Sequence, residues 1–114
     1  QHAFPDIGEP VPHAIETLLK LQSKGHRLIF WTCRTGEYLE DAVKYLESHG
    51  VKFHGHNYNP SQQDWSPGPK VYAHDYIDDA ALGCPLIEPG RGMRPYADWL
   101  LIKAHLNRKY GFDL

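Results

Sequence analysis

The length and composition of the chain are those of one small globular domain. It has 114 residues, of which 41% are apolar and 23% are charged, a balance that supports a packed core and excludes disorder of the whole chain. The net charge is -2, and without a basic run, binding of nucleic acid through its phosphates is not favoured. The apolar runs are too short to span a bilayer or to form a signal peptide. We therefore expect a single cytoplasmic domain over residues 1–114, with no membrane association.

The chain has two cysteines, Cys33 and Cys84. In a cytosolic protein we expect both to be reduced thiols. The sequence alone leaves a disulfide between them open.

Hydrophobic periodicity predicts helices that alternate with strands. Such alternation favours an α/β fold with a parallel sheet and helices on both of its faces. The continuous apolar run of the first strand further predicts a strand that is buried on both faces. The predicted elements are a helix over 12–24, a strand over 27–32, a helix with its apolar face over 38–46 that stops at Gly50, a strand over 51–54, a long loop over 55–69, a strand over 71–77, a loop over 80–94, and a helix from Pro95 to near Gly111.

Ligands of parallel sheets bind beyond the carboxyl ends of the strands, and the first strand is followed there by Thr32, Cys33 and Arg34. A hydroxyl at a strand end, followed by the backbone amides of a helix start, is suited to binding an anion. Arg34 adds a planar cation that matches phosphate. The alternative is that Thr32 and Thr35 cap the second helix and that Arg34 is a solvated surface charge.

The third predicted strand ends in Asp78 and Asp79, and Lys70 stands just before it. Adjacent carboxylates repel each other unless a cation compensates, and Mg²⁺ takes one or two carboxylates together with water and phosphate oxygens. The alternative for the aspartates is an exposed turn, and for Lys70 an ordinary surface lysine. Asn57 follows the second strand at the same edge, either as a substrate ligand or as a turn residue.

Two other chemistries receive less support from the residues. His54 and His56 would need two further Cys or His ligands to form a structural zinc site. Cys33 would need a paired histidine to act as a nucleophile, and no sequence feature places one beside it.

Three motifs, in this order, carry a resemblance to a known superfamily: Trp31-Thr32-Cys33-Arg34, Lys70, and Tyr76-Ile77-Asp78-Asp79. They resemble motifs two, three and four of the haloacid dehalogenase (HAD) superfamily, and more narrowly its small, cap-poor hydrolases of bacteria and phages. The segment Phe4-Pro5-Asp6-Ile7-Gly8-Glu9-Pro10 resembles the stretch that follows the first motif. The resemblance extends to Trp99 and implies a three-layer, Rossmann-like (HAD-like) fold.

The resemblance also implies an activity. Members of the superfamily transfer phosphoryl groups through an aspartyl-phosphate, which implies an Mg²⁺-dependent phosphatase acting on a small phosphorylated metabolite. Thr32 would bond the phosphoryl oxygens, Lys70 would stabilise the charged intermediate, and the aspartate pair would hold Mg²⁺. The assigned residues are Thr32, Lys70, Asp78 and Asp79 for catalysis, Asp78 and Asp79 for the metal, and Thr32, Cys33, Arg34 and Asn57 for the substrate.

The chain departs from the superfamily pattern at the first motif, which carries the nucleophile. No Asp-x-Asp occurs in the 114 residues, and Asp6 falls after the place of that motif. We expect the first, central strand to precede Gln1 over roughly a dozen residues. A cloning or proteolytic fragment, and strand exchange in a homo-oligomer through the open sheet edge, are the alternatives. Ala80 also stands where relatives often carry a basic residue.

Two further functions stay open at this point. Because the nucleophile is absent from the chain, it could be a non-catalytic module that binds phosphate or a protein partner. It could also be a phosphatase of polynucleotide ends, although the net charge argues against strong binding of nucleic acid.

Overall fold

The computed structural model describes residues 11–62, 64–90 and 92–114. The segment 4–10, with Asp6, lies outside the described residues. The elements are α1 (Ala14–Ser23), β1 (Ile29–Phe30), α2 (Gly36–Ser48), β2 (Gly55–His56), a short 3₁₀ helix (Pro60–Gln62), β3 (Leu86–Ile87), β4 (Tyr96–Ala97) and α3 (Trp99–Tyr110).

All three predicted helices are confirmed, and local signals set their ends. The chain leaves α1 through Gly25, whose φ of 88° lies in the left-handed region that glycine adopts at little cost. The last helix begins later than predicted, because Tyr96–Ala97 forms a strand and Asp98 is the cap. The carboxylate of Asp98 accepts a hydrogen bond from the backbone N–H of Leu101 at 3.2 Å. Gly111 then ends α3, as predicted.

One parallel pair is present, β1 beside β2, with Ile29 opposite Gly55 and Phe30 opposite His56. The pairing confirms a mixed α/β structure with a short parallel sheet. The prediction that β1 is buried on both faces is wrong: Trp31 is 52% exposed, since the described sheet around β1 has only two strands.

The second strand lies within the predicted loop 55–69 rather than over residues 51–54. The N–H of His54, at the end of the predicted strand, donates to the carbonyl of Leu28 at 2.7 Å, whereas at the start of that strand a glutamine side chain takes the place of a strand partner. Nε2 of Gln22 donates to the carbonyl of Gly50 at 3.0 Å, and Oε1 of Gln22 accepts from the N–H of Lys52 at 2.6 Å. The amide thus satisfies both backbone neighbours of the buried Val51, as a residue of an adjacent parallel strand would.

The predicted strand over 71–77 is absent from the described elements, and side-chain amides again explain why. Nε2 of Gln62 donates to the carbonyl of Lys70 at 2.9 Å, and Oε1 of Gln62 accepts from the N–H of Tyr72 at 2.8 Å. Nδ2 of Asn59 donates to the carbonyl of Tyr72 at 3.0 Å. The segment is therefore held in place without a strand ladder, which needs a neighbouring strand.

The predicted loop 80–94 contains a strand that the sequence did not indicate. Leu86–Ile87 pairs with Tyr96–Ala97 as the antiparallel hairpin β3–β4. Each strand has only two residues, too few for alternation of apolar and polar positions to be recognised.

A cluster of buried side chains joins α1 to α3. Leu21 of α1 packs with Ile102 and Leu106 of α3, and Leu28 and Cys84 lie against them. Cys84 is half-buried and Cys33 is exposed, and both are free thiols. A helix with the length and apolar character needed to cross a bilayer does not occur in the described ranges.

Candidate functional site

The carboxyl ends of β1 and β2 bring Thr32 and Asn57 together, as predicted. The N–H of Thr32 donates to Oδ1 of Asn57 at 2.8 Å. Asn57 has a φ of 59°, a left-handed conformation that asparagine tolerates better than most residues. The side chain that follows β2 therefore fixes the backbone at the residue that follows β1. This contact joins two residues that are 25 positions apart in the chain.

The hydroxyl of Thr32 organises the turn into α2. Its Oγ1 accepts from the N–H of Arg34 at 3.1 Å, so the hydroxyl hydrogen can be donated to an anion. Thr35 occupies the N-cap position of α2 but makes no hydrogen bond to the helix with its side chain. These contacts therefore do not support the alternative in which Thr32 and Thr35 serve only as caps of α2.

Cys33 and Arg34 differ in their exposure. Cys33 is exposed, whereas Arg34 is only 8% exposed. The alternative of a solvated surface charge at Arg34 is therefore wrong. Arg34 thus adds a largely buried cationic residue to the turn between Thr32 and α2.

Lys70 is linked to the end of β1 through two aromatic rings. Its Nζ lies 5.7 Å from the ring centroid of Tyr76, within the range of a cation–π contact. The same ring lies 5.4 Å from the ring of Trp31, centroid to centroid. The hydroxyl of Tyr76 donates to the carbonyl of Val71 at 2.6 Å, which fixes the ring between its two neighbours.

The two aspartates make separate contacts. Oδ1 of Asp78 accepts from the N–H of Ala80 at 2.9 Å, which is the turn geometry of the alternative interpretation. Oδ2 of Asp79 lies 4.0 Å from the guanidinium of Arg94. No hydrogen bond or ion pair among the described residues joins either aspartate to Thr32 or Lys70.

The electrostatic effect of the pair reaches Cys84. Burial raises the pKa of the Cys84 thiol, a hydrogen bond from the backbone of Asp78 opposes this rise, and the negative charges of Asp79 and Asp78 add to it.

Two neighbouring carboxylates fit the donor set of Mg²⁺, which completes its shell with water and phosphate oxygens. The described residues contain no group of three His, Cys, Asp or Glu side chains placed to hold a metal ion, so they do not support the zinc interpretation of His54 and His56.

Two features near the predicted site residues were not predicted from the sequence. Nε2 of His54 lies 2.9 Å from Oγ of Ser61, which also accepts from Arg27 at 2.9 Å. Lys70 borders a cavity of about 360 Å³ whose wall includes Trp65, Tyr72 and Tyr76. The sequence signal for this cavity was the presence of aromatic residues on both sides of Lys70.

Comparisons with known proteins identify one relative of nearly the same extent. The chain matches no protein-family model and no curated protein. It does match a solved structure, described as that of a conserved protein from Bacteroides thetaiotaomicron. The two are 33% identical, the match covers 96% of this chain and 81% of the other, and the TM-score is 0.76. That description names no activity.

Proposed function

The chain belongs to the family of this conserved Bacteroides thetaiotaomicron protein, and we propose that it is an Mg²⁺-dependent phosphatase of the HAD type. Its substrate is a phosphate monoester of a small metabolite. Thr32, Cys33, Arg34 and Asn57 surround the phosphate. The three-layer Rossmann-like arrangement and the cytoplasmic location stay predictions from the sequence.

The observation that carries this proposal is the hydrogen bond between Thr32 and Asn57. It ties together the ends of two parallel strands, the position at which α/β sheets bind their ligands. The hydroxyl of Thr32 and the N-terminal amides of α2 both supply hydrogen-bond donors there, and phosphate oxygens accept such bonds. A donor set fixed before binding stabilises developing charge without reorganisation.

Charge neutralisation is assigned to Lys70 and to the aspartate pair. Lys70 would offset the negative charge of the phosphoryl group from the side of Tyr76. Asp78 and Asp79 would hold Mg²⁺, which when bound supplies a divalent charge to the phosphate oxygens. Arg94, near Asp79, supplies the positive charge that Ala80 does not.

A second candidate, a module that binds phosphate without turnover, is favoured by one specific observation. The aspartyl-phosphate route needs a carboxylate nucleophile, and no Asp-x-Asp occurs in the 114 residues. The same donors at Thr32 and Lys70 would then hold a phosphate group without breaking its ester bond.

One pair of measurements separates the two candidates. Both measurements use the full-length protein with the strand that is expected to precede Gln1. Inorganic phosphate is titrated calorimetrically, and release of phosphate from p-nitrophenyl phosphate is followed with Mg²⁺ and then with a chelator. Binding with Mg²⁺-dependent turnover supports the phosphatase, and binding without turnover supports the module. Absence of both contradicts both candidates.

Asp78→Asn tests the metal assignment. The amide oxygen of asparagine can still accept from the N–H of Ala80, so the turn is retained while the charge is lost. We expect turnover to fall by about 100-fold or more, the scale on which an electrostatic group contributes to catalysis. Asp41→Asn, on the exposed side of α2, is the control and leaves turnover unchanged. An Asp78→Asn variant with unaltered turnover would refute the metal site.

A further inference from the structure

An open cavity beside Lys70 has the volume of a small-ligand site. Its volume is about 360 Å³, at the lower end of the range for small-molecule sites. Its lining combines three aromatic residues with polar ones: Trp65, Tyr72 and Tyr76 with Gln62, Ser66 and Lys70, and Ala73. Aromatic walls together with a few polar groups at fixed positions are typical of sites that bind small molecules.

Two of the aromatic side chains are held open to solvent. Trp65 is 62% exposed and Tyr72 is 43% exposed. Their rings meet at an interplanar angle of 81°, with centroids 5.4 Å apart. An edge-to-face contact of this kind covers at most one face of either ring. Tyr72 also meets the ring of His74, with centroids 5.6 Å apart, so the more exposed Trp65 is the ring on which a further planar group can stack.

The pocket is ordered by bonds that do not involve its aromatic faces. Gln62 is 6% exposed and joins the backbone of Lys70 to that of Tyr72. Its own carbonyl accepts from the N–H of Trp65 at 3.1 Å. The hydroxyl of Tyr76 is likewise engaged by the backbone. A pocket that is ordered before binding loses little entropy when a ligand enters.

Tyr76 is the residue that relates the pocket to the proposed phosphate site. Lys70 borders the cavity, and its ammonium lies over the ring of Tyr76. The other neighbour of this ring is Trp31, which directly precedes Thr32. A ligand with a flat ring among the aromatic walls would thus direct a phosphate group towards Lys70 and the end of β1.

We propose that this cavity binds the planar aromatic part of a phosphate monoester, with Trp65 as the stacking surface and Lys70 as the contact to the phosphate. The inference rests on the proposed function and adds to it the class of substrate. A nucleobase and a simple aryl group share this chemistry, because both present a flat π-face. Trp65 is thereby a specificity residue and takes no part in breaking the ester bond.

Calorimetric titration of three phosphate monoesters tests the proposal. Adenosine 5′-monophosphate carries a nucleobase, phenyl phosphate carries a simple aryl ring, and ribose 5-phosphate carries no aromatic group. Stacking of one base on an aromatic side chain predicts that the nucleotide binds about 10-fold to 100-fold more tightly than ribose 5-phosphate. A similar gain for phenyl phosphate assigns the site to aryl groups, and a gain for the nucleotide alone assigns it to nucleobases.

Variants of Trp65 locate the effect. Trp65→Ala should bring the nucleotide to the affinity of ribose 5-phosphate and leave the affinity for ribose 5-phosphate unchanged. Trp65→Phe should restore part of the difference, because it keeps an aromatic face. Leu100→Ala, which removes an exposed apolar side chain from α3, is the matched control and should change neither affinity.

The outcomes separate this inference from the proposed function. If all three monoesters bind with equal affinity, or if Trp65→Ala weakens all three equally, the stacking surface is refuted and the phosphate site stands. If neither inorganic phosphate nor ribose 5-phosphate binds, the proposed function is itself refuted, and the substrate class with it.

Discussion

Gln62→Met removes the amide that holds the backbone from Lys70 to Tyr72. Methionine is of similar length and flexibility, so the space is filled and only the polar contacts are lost. The carbonyl of Lys70 and the N–H of Tyr72 then lose their partner. Both of these hydrogen bonds are partly buried and Gln62 itself is buried, which hinders access of water to both groups.

The expected loss of stability follows from the two bonds. An unsatisfied buried backbone group costs about 1–3 kcal/mol, and both residues that carry these groups are exposed, which favours the lower half of that range. We therefore expect the free energy of unfolding to fall by about 2–4 kcal/mol, a large part of the total for a small domain. The midpoint of urea unfolding should fall by about 1–2 M.

Gln22→Met is the matched control, because Gln22 makes the same pair of contacts around Val51. Those contacts are exposed, so water can replace the amide. The expected loss is about 1 kcal/mol or less. Urea unfolding followed by circular dichroism measures both variants. Equal losses for the two, or a neutral Gln62→Met, would refute the argument that burial of the amide gives Gln62 its larger contribution.

Two further predictions concern β2 and the segment before the aspartate pair. Gly55→Ala would place a Cβ against the carbonyl oxygen of Tyr58, closer than real Cβ atoms approach, so we expect thermal unfolding to report a loss of about 1–3 kcal/mol; an unchanged midpoint would contradict this close approach. Burial raises the pKa of Asp75, but hydrogen bonds from Lys109 and Tyr110 outweigh it and leave that pKa below its usual value. The ionised Asp75 therefore stabilises the fold at neutral pH, and this contribution is lost as the pH falls through the lowered pKa. Asp75→Asn should destabilise the protein at neutral pH and lose this effect in strong acid, and urea unfolding that shows the same difference at both pH values would exclude the linkage.

The sequence predicted the candidate site better than it predicted the sheet around it. Thr32 and Asn57 were expected at the same edge, because both follow strands of a parallel sheet, and they share a hydrogen bond. That inference needed only the order of the elements. It held even though the second strand lies at Gly55–His56, beyond the segment 51–54 that was predicted.

The aromatic pocket was not predictable in the same way. Trp65 lies in a segment that the sequence identified only as a long loop, and its relation to Tyr72 depends on how that loop folds back. The bonds of Gln62 decide this, since they bring residues 62, 70 and 72 together. Glutamine has no pattern that marks it as a partner for a distant backbone.

By itself the sequence determined the three helices, their ends at Gly25 and Gly111, and the residues that follow the first strand. These features depend on apolar spacing and on backbone preferences within a few neighbouring residues. Only the tertiary structure decided which extended segments became strands, whether Arg34 was buried and which aromatic rings were exposed to solvent. The physical reason is that a strand exists only where its backbone groups find partners. Over 51–54 and 71–77 those partners include side chains 10 to 30 residues away, a separation that local periodicity does not encode.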